Sequence, residues 1–200
     1  MIARLDLAAE IWDSAVDEPS PQPGQRAADY VGAVGQLKAA ATLASIQATR
    51  PDLLARGVDV LASDTAVETG PSVGREILGK PKDADDARRM LTALAAERHA
   101  VASSVCWLNE AGTTTTSVDT TYVTFRPLEG AEIEAYVQSG EAFGKAGAYA
   151  IQENAHGFVA TMEGRFTTVV GLPLPLVAAD LLERGFPLDP TTETDPRQVI

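Results

Sequence analysis

The chain is 200 residues long, with 45% hydrophobic and 22% charged residues, an ordinary globular usage that excludes a disordered, collagen-like or disulfide-stapled protein. With 28 acidic against 16 basic residues the formal net charge is −12, so the far field repels phosphodiester backbones and anionic lipid alike, and neither nucleic acid nor a membrane is expected as a partner. A small anion remains admissible, because a few convergent lysines with a divalent cation reverse the potential locally.

Cys106 is the one cysteine, which excludes an intramolecular disulfide and a thiolate metal cluster. In the apolar run over residues 101–108 it reads as a packed thiol. His99 and His156 are too few for a histidine-rich zinc site. The first six residues lack the basic-then-apolar order of a signal peptide. No window approaches the roughly 18 apolar residues that cross a bilayer, so the chain reads as cytoplasmic.

Residues 2–12 form a short apolar segment ending in Asp13-Ser14-Ala15-Val16-Asp17-Glu18. The Pro/Gly/Gln run over residues 19–25 is a loop, since it continues neither a helix nor a central strand. Over residues 26–48, Tyr30, Val31, Val34, Leu37, Ala41 and Leu43 recur at helical spacing, predicting a helix that Pro51 ends. Residues 58–63 read as a buried strand that delivers Asp64-Thr65 at its end, followed by Ala66-Val67-Glu68 and a Gly70-Pro71 turn. Residues 76–78 are a short strand into Gly79-Lys80-Pro81. Asp83 is an N-cap for an amphipathic helix over residues 84–94, with Ala84, Ala87, Met90, Leu91 and Leu94 on its apolar face. Strands over residues 100–108 and 117–125, joined by a polar turn at residues 109–112, have the lengths of an antiparallel pair. Residues 128–138 are helical, Ile151 and residues 158–162 are strands, and residues 174–183 are a last helix. Together these elements predict a single α/β domain, a mixed sheet with flanking helices, over residues 1–186, with a Pro/Thr-rich tail over residues 187–200 that frays.

Asp64 falls at a strand end, where the ligand crevices of open α/β sheets form, although a turn or capping aspartate has the same signature. Glu18, after Asp17 in a loop, is either a metal ligand or a solvated acid. The chain has four lysines, Lys38, Lys80, Lys82 and Lys145. Lys38 lies beside Leu37 and Ala39, Lys80 in Leu78-Gly79-Lys80-Pro81, and Lys145 in Gly144-Lys145-Ala146-Gly147. Such apolar or glycine-lined settings point to a shared anion site, against exposed loop lysines as the alternative. Gln152, beside Ile151, can give and accept hydrogen bonds as recognition of a base edge requires, or is a strand-edge glutamine. Neither a Walker loop nor a G-x-G-x-x-G is present. The charges over residues 83–89 read as a solvated helix face.

Seven segments in order resemble the Maf (septum-formation) family of nucleoside triphosphate pyrophosphatases over about residues 5–183. They are Ser63-Asp64-Thr65, Ile77-Leu78-Gly79-Lys80-Pro81-Lys82-Asp83-Ala84 into Ala87-Arg88-Arg89-Met90-Leu91, Thr124-Phe125-Arg126-Pro127-Leu128, Glu132-Ile133-Glu134-Ala135-Tyr136-Val137, Ser139-Gly140-Glu141, Lys145-Ala146-Gly147-Ala148-Tyr149-Ala150-Ile151-Gln152, and Val169-Val170-Gly171-Leu172-Pro173-Leu174. The resemblance implies a fold like that of inosine triphosphate pyrophosphatases and a cytoplasmic, often dimeric protein. It also implies hydrolysis of a nucleoside triphosphate to the monophosphate and pyrophosphate with a divalent cation, Mg²⁺ or Mn²⁺. Carried over by position, Asp64 is the catalytic aspartate that places metal and water, and Glu18 is the second metal-binding acid. Lys38 is the helix lysine and Lys80 the phosphate-facing lysine, joined by Lys145. Thr65 and Gln152 match positions linked to base choice, and the pattern around them is that of the branch acting on dTTP and UTP rather than on 7-methylated GTP.

The departures from the family also carry expectations. Its members usually open with a strand and an S-x-S-P-R-R loop, whereas here residues 1–7 align with the end of the helix that follows. That strand and arginine pair are therefore expected to be missing, the bordering strands to be incompletely paired, and turnover to be reduced. Leu37 stands where an acid commonly precedes the helix lysine, and Glu153-Asn154 where glycine usually follows the glutamine. The second reading is a non-catalytic Maf-like protein that binds nucleotides or acts as a cell-division-associated partner.

Overall fold

The computed structural model describes residues 9–55 and 57–186. The alignment expected of residues 1–7 and the fraying expected of residues 187–200 lie outside the described residues.

The organising element is β4 (Arg98–Asn109), buried almost end to end from His99 through Leu108. Covered on both faces, it carries a continuous apolar and small-residue run instead of an alternating pattern. One edge of β4 pairs along nearly its whole length with β5 (Thr114–Phe125), in antiparallel register from Arg98↔Thr124 to Leu108↔Thr114. The other edge is divided between two short antiparallel strands. β1 (Asp59–Ala62) pairs through Ala62↔Cys106, and β2 (Thr65–Glu68) pairs through Thr65↔Ser103. Ser63 and Asp64 form the break between them. β3 (Ile77–Leu78) extends the sheet beside β2, and β6 (Val159–Glu163) extends it beside β5. All the pairings among the described residues are antiparallel, and β1 pairs only with β4 there.

Helix α1 (Ala27–Thr49) lies on β4 and buries Val31, Val34, Ala39, Leu43 and Ile46. Close approach depends on Gly35, where a Cβ would stand 2.6 Å from Ser104 Oγ. The helix start has no side-chain cap of its own. Instead Ala27 N–H donates to the Glu68 carboxylate at 2.8 Å, and the Arg26 side chain donates to it through Nε at 2.9 Å, so a buried acid on β2 satisfies one of the orphan donors. Pro51 ends α1 as expected and at once opens a single turn, α2 (Pro51–Leu54), since proline is tolerated at the first helical position.

Asp83 does cap α3 (Ala84–Leu94), accepting from Asp86 N–H at 2.8 Å. α4 (Gly130–Ser139) starts in a Glu129/Glu132 capping box and stops at the left-handed Gly140. α5 (Phe166–Val170) was not among the expected elements, whereas α6 (Leu174–Glu183) was. Nor was β2 expected as a strand of its own: four residues directly after Asp64 give too short a pattern to separate from the preceding strand. The strand expected at Ile151 is a turn instead. Its burial makes it look strand-like, but the backbone beside it is held by Tyr136, whose hydroxyl accepts from Ala150 N–H at 3.1 Å.

The principal core lies between the sheet and α3 and α4, around Val67, Leu91, Val101, Phe125 and Phe158. His99 is buried in it, edge-on to Phe125 and to Tyr149, with Nε2 3.0 Å from the Tyr149 hydroxyl. Among the described residues, no helix is long and apolar enough to cross a membrane.

Burial pushes the His99 pKa down from 6.5 to about 4. The unfolded chain therefore takes up this proton first, so the stability contributed by neutral His99 is complete above pH 6.5 and lost as pH falls toward 4. Urea denaturation at pH 7.5 and pH 5 is expected to show a loss of about 2 kcal/mol on acidification from this group. That loss should be missing in His99→Gln.

Candidate functional site

The break between β1 and β2 opens into a cavity of about 350 Å³. Its charged lining is Glu18, Lys38, Asp64, Lys80 and Lys145, and its apolar lining includes Val67, Val101, Tyr149, Val169 and Val170. Three lysines against two carboxylates make this locality cationic in a chain of net charge −12, the reversal that an anionic ligand requires. The lysines come from helix α1 and from two loops, so the shared anion site expected from their apolar settings is assembled in space.

Asp64 is held first through its backbone. Ser104 N–H donates to the Asp64 carbonyl at 2.9 Å, and Asp64 N–H donates to Ser104 Oγ at 3.1 Å. The carboxylate is 8% exposed. Lys38 Nζ donates to Asp64 Oδ1 at 2.6 Å and sits 2.8 Å from Glu18 Oε1, so one ammonium bridges both acids. Burial raises the Asp64 pKa above the ordinary value, with Lys38 offsetting only part of the shift and the Glu18 charge adding to it. Burial also opposes ionisation of Glu18, but the bond and charge of Lys38, with the charge of Lys80, bring its pKa below the ordinary value. On Lys38 burial works against the charge, and the two carboxylates overcome it and raise the pKa. The two acids are thus driven apart, with Asp64 the more proton-avid, as in sites where paired carboxylates divide their roles.

Asp64 Oδ2 is buried and has no hydrogen-bond partner among the described residues. A spare hard oxygen on Asp64 and a second carboxylate, Glu18, held on the same lysine are a donor set that fits a small divalent cation, which typically takes one or two carboxylates and completes its shell with water and substrate phosphates. Among the described residues there is no group of three or more acids, histidines or cysteines placed to hold a metal alone.

Lys80 and Lys145 face the cavity from loops that are tied together. Gly147 N–H donates to the Gly79 carbonyl at 3.0 Å. Gly147 adopts φ +68°, and a Cβ there would lie 2.9 to 3.2 Å from three Val67 side-chain atoms. Thr65 also lines the cavity. Its Oγ1 is 2.7 Å from Ser103 Oγ, which itself donates to the Thr168 carbonyl at 2.7 Å, so Thr65 is the donor of that pair and keeps its lone pairs available. Gln152 is exposed and lies outside the lining. Cys106 is buried, its thiol pKa raised by that burial, as expected of a packed residue.

Sequence reasoning missed Tyr30 and Ser63 as lining residues. Tyr30, Val34 and Lys38 form an i, i+4, i+8 row on one side of α1, which is the available signal for Tyr30. Ser63 Oγ lies 2.7 Å from both the Ser104 and Gly171 carbonyls, joining the break to the turn after α5.

An α/β domain with a lysine-lined cavity set beside two carboxylates has the charge and shape that suit a small, highly charged anion. The chain is a member of the Maf family, since the family described as Maf-like protein matches residues 1–184. It is 45% identical over 191 residues to a dTTP/UTP pyrophosphatase of Anaeromyxobacter dehalogenans strain 2CP-1, covering 94% of this chain and 89% of that one. It is 43% identical to a dTTP/UTP pyrophosphatase of Sphingopyxis alaskensis, covering 94% and 92%. The protein of the same name from Myxococcus xanthus is 39% identical, covering 94% and 88%.

Gly147→Ala is expected to force both the strained φ and the Val67 contact, destabilising the fold by about 1–3 kcal/mol. It should also raise KM for a triphosphate more than it lowers kcat, because the loops of Lys80 and Lys145 separate. Adding Val67→Ala should recover part of both losses. Steady-state kinetics with denaturant titration of the single and double variants checks this.

Proposed function

We propose that this protein is a nucleoside triphosphate pyrophosphatase that converts dTTP and UTP to the monophosphate and pyrophosphate. The observation that carries the reading is the Lys38 bridge between Asp64 and Glu18, set in one cavity with Lys80 and Lys145. The names of the relatives support the substrate class. In the reaction, a water oxygen bonds to the α-phosphorus while the bond from that phosphorus to the α–β bridging oxygen breaks. Asp64, through Oδ2, orients that water and takes the proton it releases as the new bond forms. Lys80 and Lys145 balance the charge that develops on the departing pyrophosphate, where fixed cations are most effective. Lys38 favours the ionised form of Asp64 against the effect of its burial. Asp64 and Glu18 would hold a divalent cation, Mg²⁺ or Mn²⁺, which when bound neutralises phosphate charge and acidifies water. Thr65 faces the cavity with free lone pairs and suits contact with the base, while a role for Gln152 rests on its family position alone. A nucleotide substrate and a buried free thiol at Cys106 accord with a cytoplasmic protein.

Incubation with Mg²⁺ or Mn²⁺ is expected to release pyrophosphate from dTTP and UTP, and chelation to abolish that release. Asp64→Asn should lower kcat by about 10²–10³-fold. Release of inorganic phosphate in place of pyrophosphate, a preference for purine triphosphates, binding without turnover, or full activity in Asp64→Asn would overturn the assignment.

A further inference from the structure

Glu18 reaches the cavity from a stretch of chain that cannot hold itself in place. Residues 9–22 contain neither helix nor strand, and most of them are exposed. At the near end, Trp12 packs against the cluster of Leu43, Ile46 and Leu108, and Glu10 lies 3.8 Å from Arg50. At the far end two contacts meet the site. One is the ion pair of Glu18 with Lys38 at 2.8 Å. In the other, the Tyr30 hydroxyl donates at 3.0 Å to the carbonyl of Pro19, the residue next to Glu18. Because Tyr30 and Lys38 both stand on α1, the segment is clipped to one helix at two adjacent residues.

We propose that Tyr30 is a positioning residue for the reaction: through the Pro19 carbonyl it holds the segment so that the Glu18 carboxylate stays on the site beside Lys38. The inference rests on the reading of Glu18 as part of the catalytic site. The ion pair holds only the carboxylate end of a flexible side chain, which leaves the backbone of the segment free to shift around it. The hydroxyl-to-carbonyl bond adds a directional contact on the backbone, so it fixes where the following and preceding side chains start. Val16, two residues before Glu18, is only partly exposed, so the segment rests on the body of the protein between its two ends.

The test uses Tyr30→Phe, which keeps the ring in the cavity wall and removes one oxygen, together with Glu18→Gln and the double variant. Without nucleotide or metal, limited proteolysis with an unspecific protease is followed by mass spectrometry for cuts within residues 13–25. Loss of one hydrogen bond is expected to raise cleavage there by about 3- to 10-fold in Tyr30→Phe. With UTP and Mg²⁺, kcat/KM should fall by up to the same factor in Tyr30→Phe. It should not fall further when Tyr30→Phe is added to Glu18→Gln, because the group being positioned is already gone. Unchanged cleavage in Tyr30→Phe would overturn the proposal, as would an equal loss of kcat/KM in both backgrounds. Absence of pyrophosphate release by the unsubstituted protein would remove the functional reading, whereas the cleavage rates by themselves decide whether Tyr30 holds the segment.

Discussion

The 2.6 Å contact between Lys38 and Asp64 joins the long helix to the break in the sheet edge, and the geometry of the site depends on it. A carboxylate as buried as Asp64 is costly to ionise unless a cation is brought to it. The cation is placed there by a helix that approaches β4 closely only because Gly35 lacks a side chain. The same ammonium reaches Glu18, so a loop acid, a helix base and a strand-break acid form one unit. Its second oxygen, Asp64 Oδ2, is buried and has no hydrogen-bond partner among the described residues.

The division of one edge of β4 between β1 and β2 explains why the reactive group lies where it does. A continuous strand would have used its backbone and turned its side chains alternately into the two covered faces. The two-residue break instead lets Asp64 keep the ladder partner Ser104 while its side chain turns toward the lysines. Around it, the hydroxyls of Ser63, Thr65 and Ser103 find backbone acceptors or each other. Small polar residues inside an apolar strand are therefore satisfied without water, as burial requires.

Much of this was legible in the residue order. The helix at residues 84–94 was fixed by local signals, the Asp83 cap and the apolar face, and it and the helix at residues 174–183 fall on the expected residues. The paired long strands were readable because their lengths match across a polar turn. The grouping of Glu18, Lys38, Asp64, Lys80 and Lys145 in one cavity followed from family position and from the apolar settings of the lysines. What was not legible depended on contacts distant in sequence. β2 became a strand because β4 offers it an edge. Ile151 became a turn because Tyr136 binds the neighbouring amide. Tyr30 shares a helix row with Lys38, but the partner of its hydroxyl was not legible, since only the path of the preceding loop supplies it.

The carboxylate that closes the start of α1 has a consequence for the order in which the molecule assembles. Glu68 lies 41 residues beyond the amide it accepts from, and the helix carries Gly32 and Gly35 in its body with no cap of its own. Such a helix is a poor nucleus by itself, because its first turn has no local compensation for the entropy of ordering. It gains its cap only when β2 has been made and laid on β4. During synthesis the segment bearing Lys38 therefore leaves the ribosome well before the residues that fix it. The pairing of the helix base with the strand-break acid depends on the same docking of α1 against the sheet that supplies the cap.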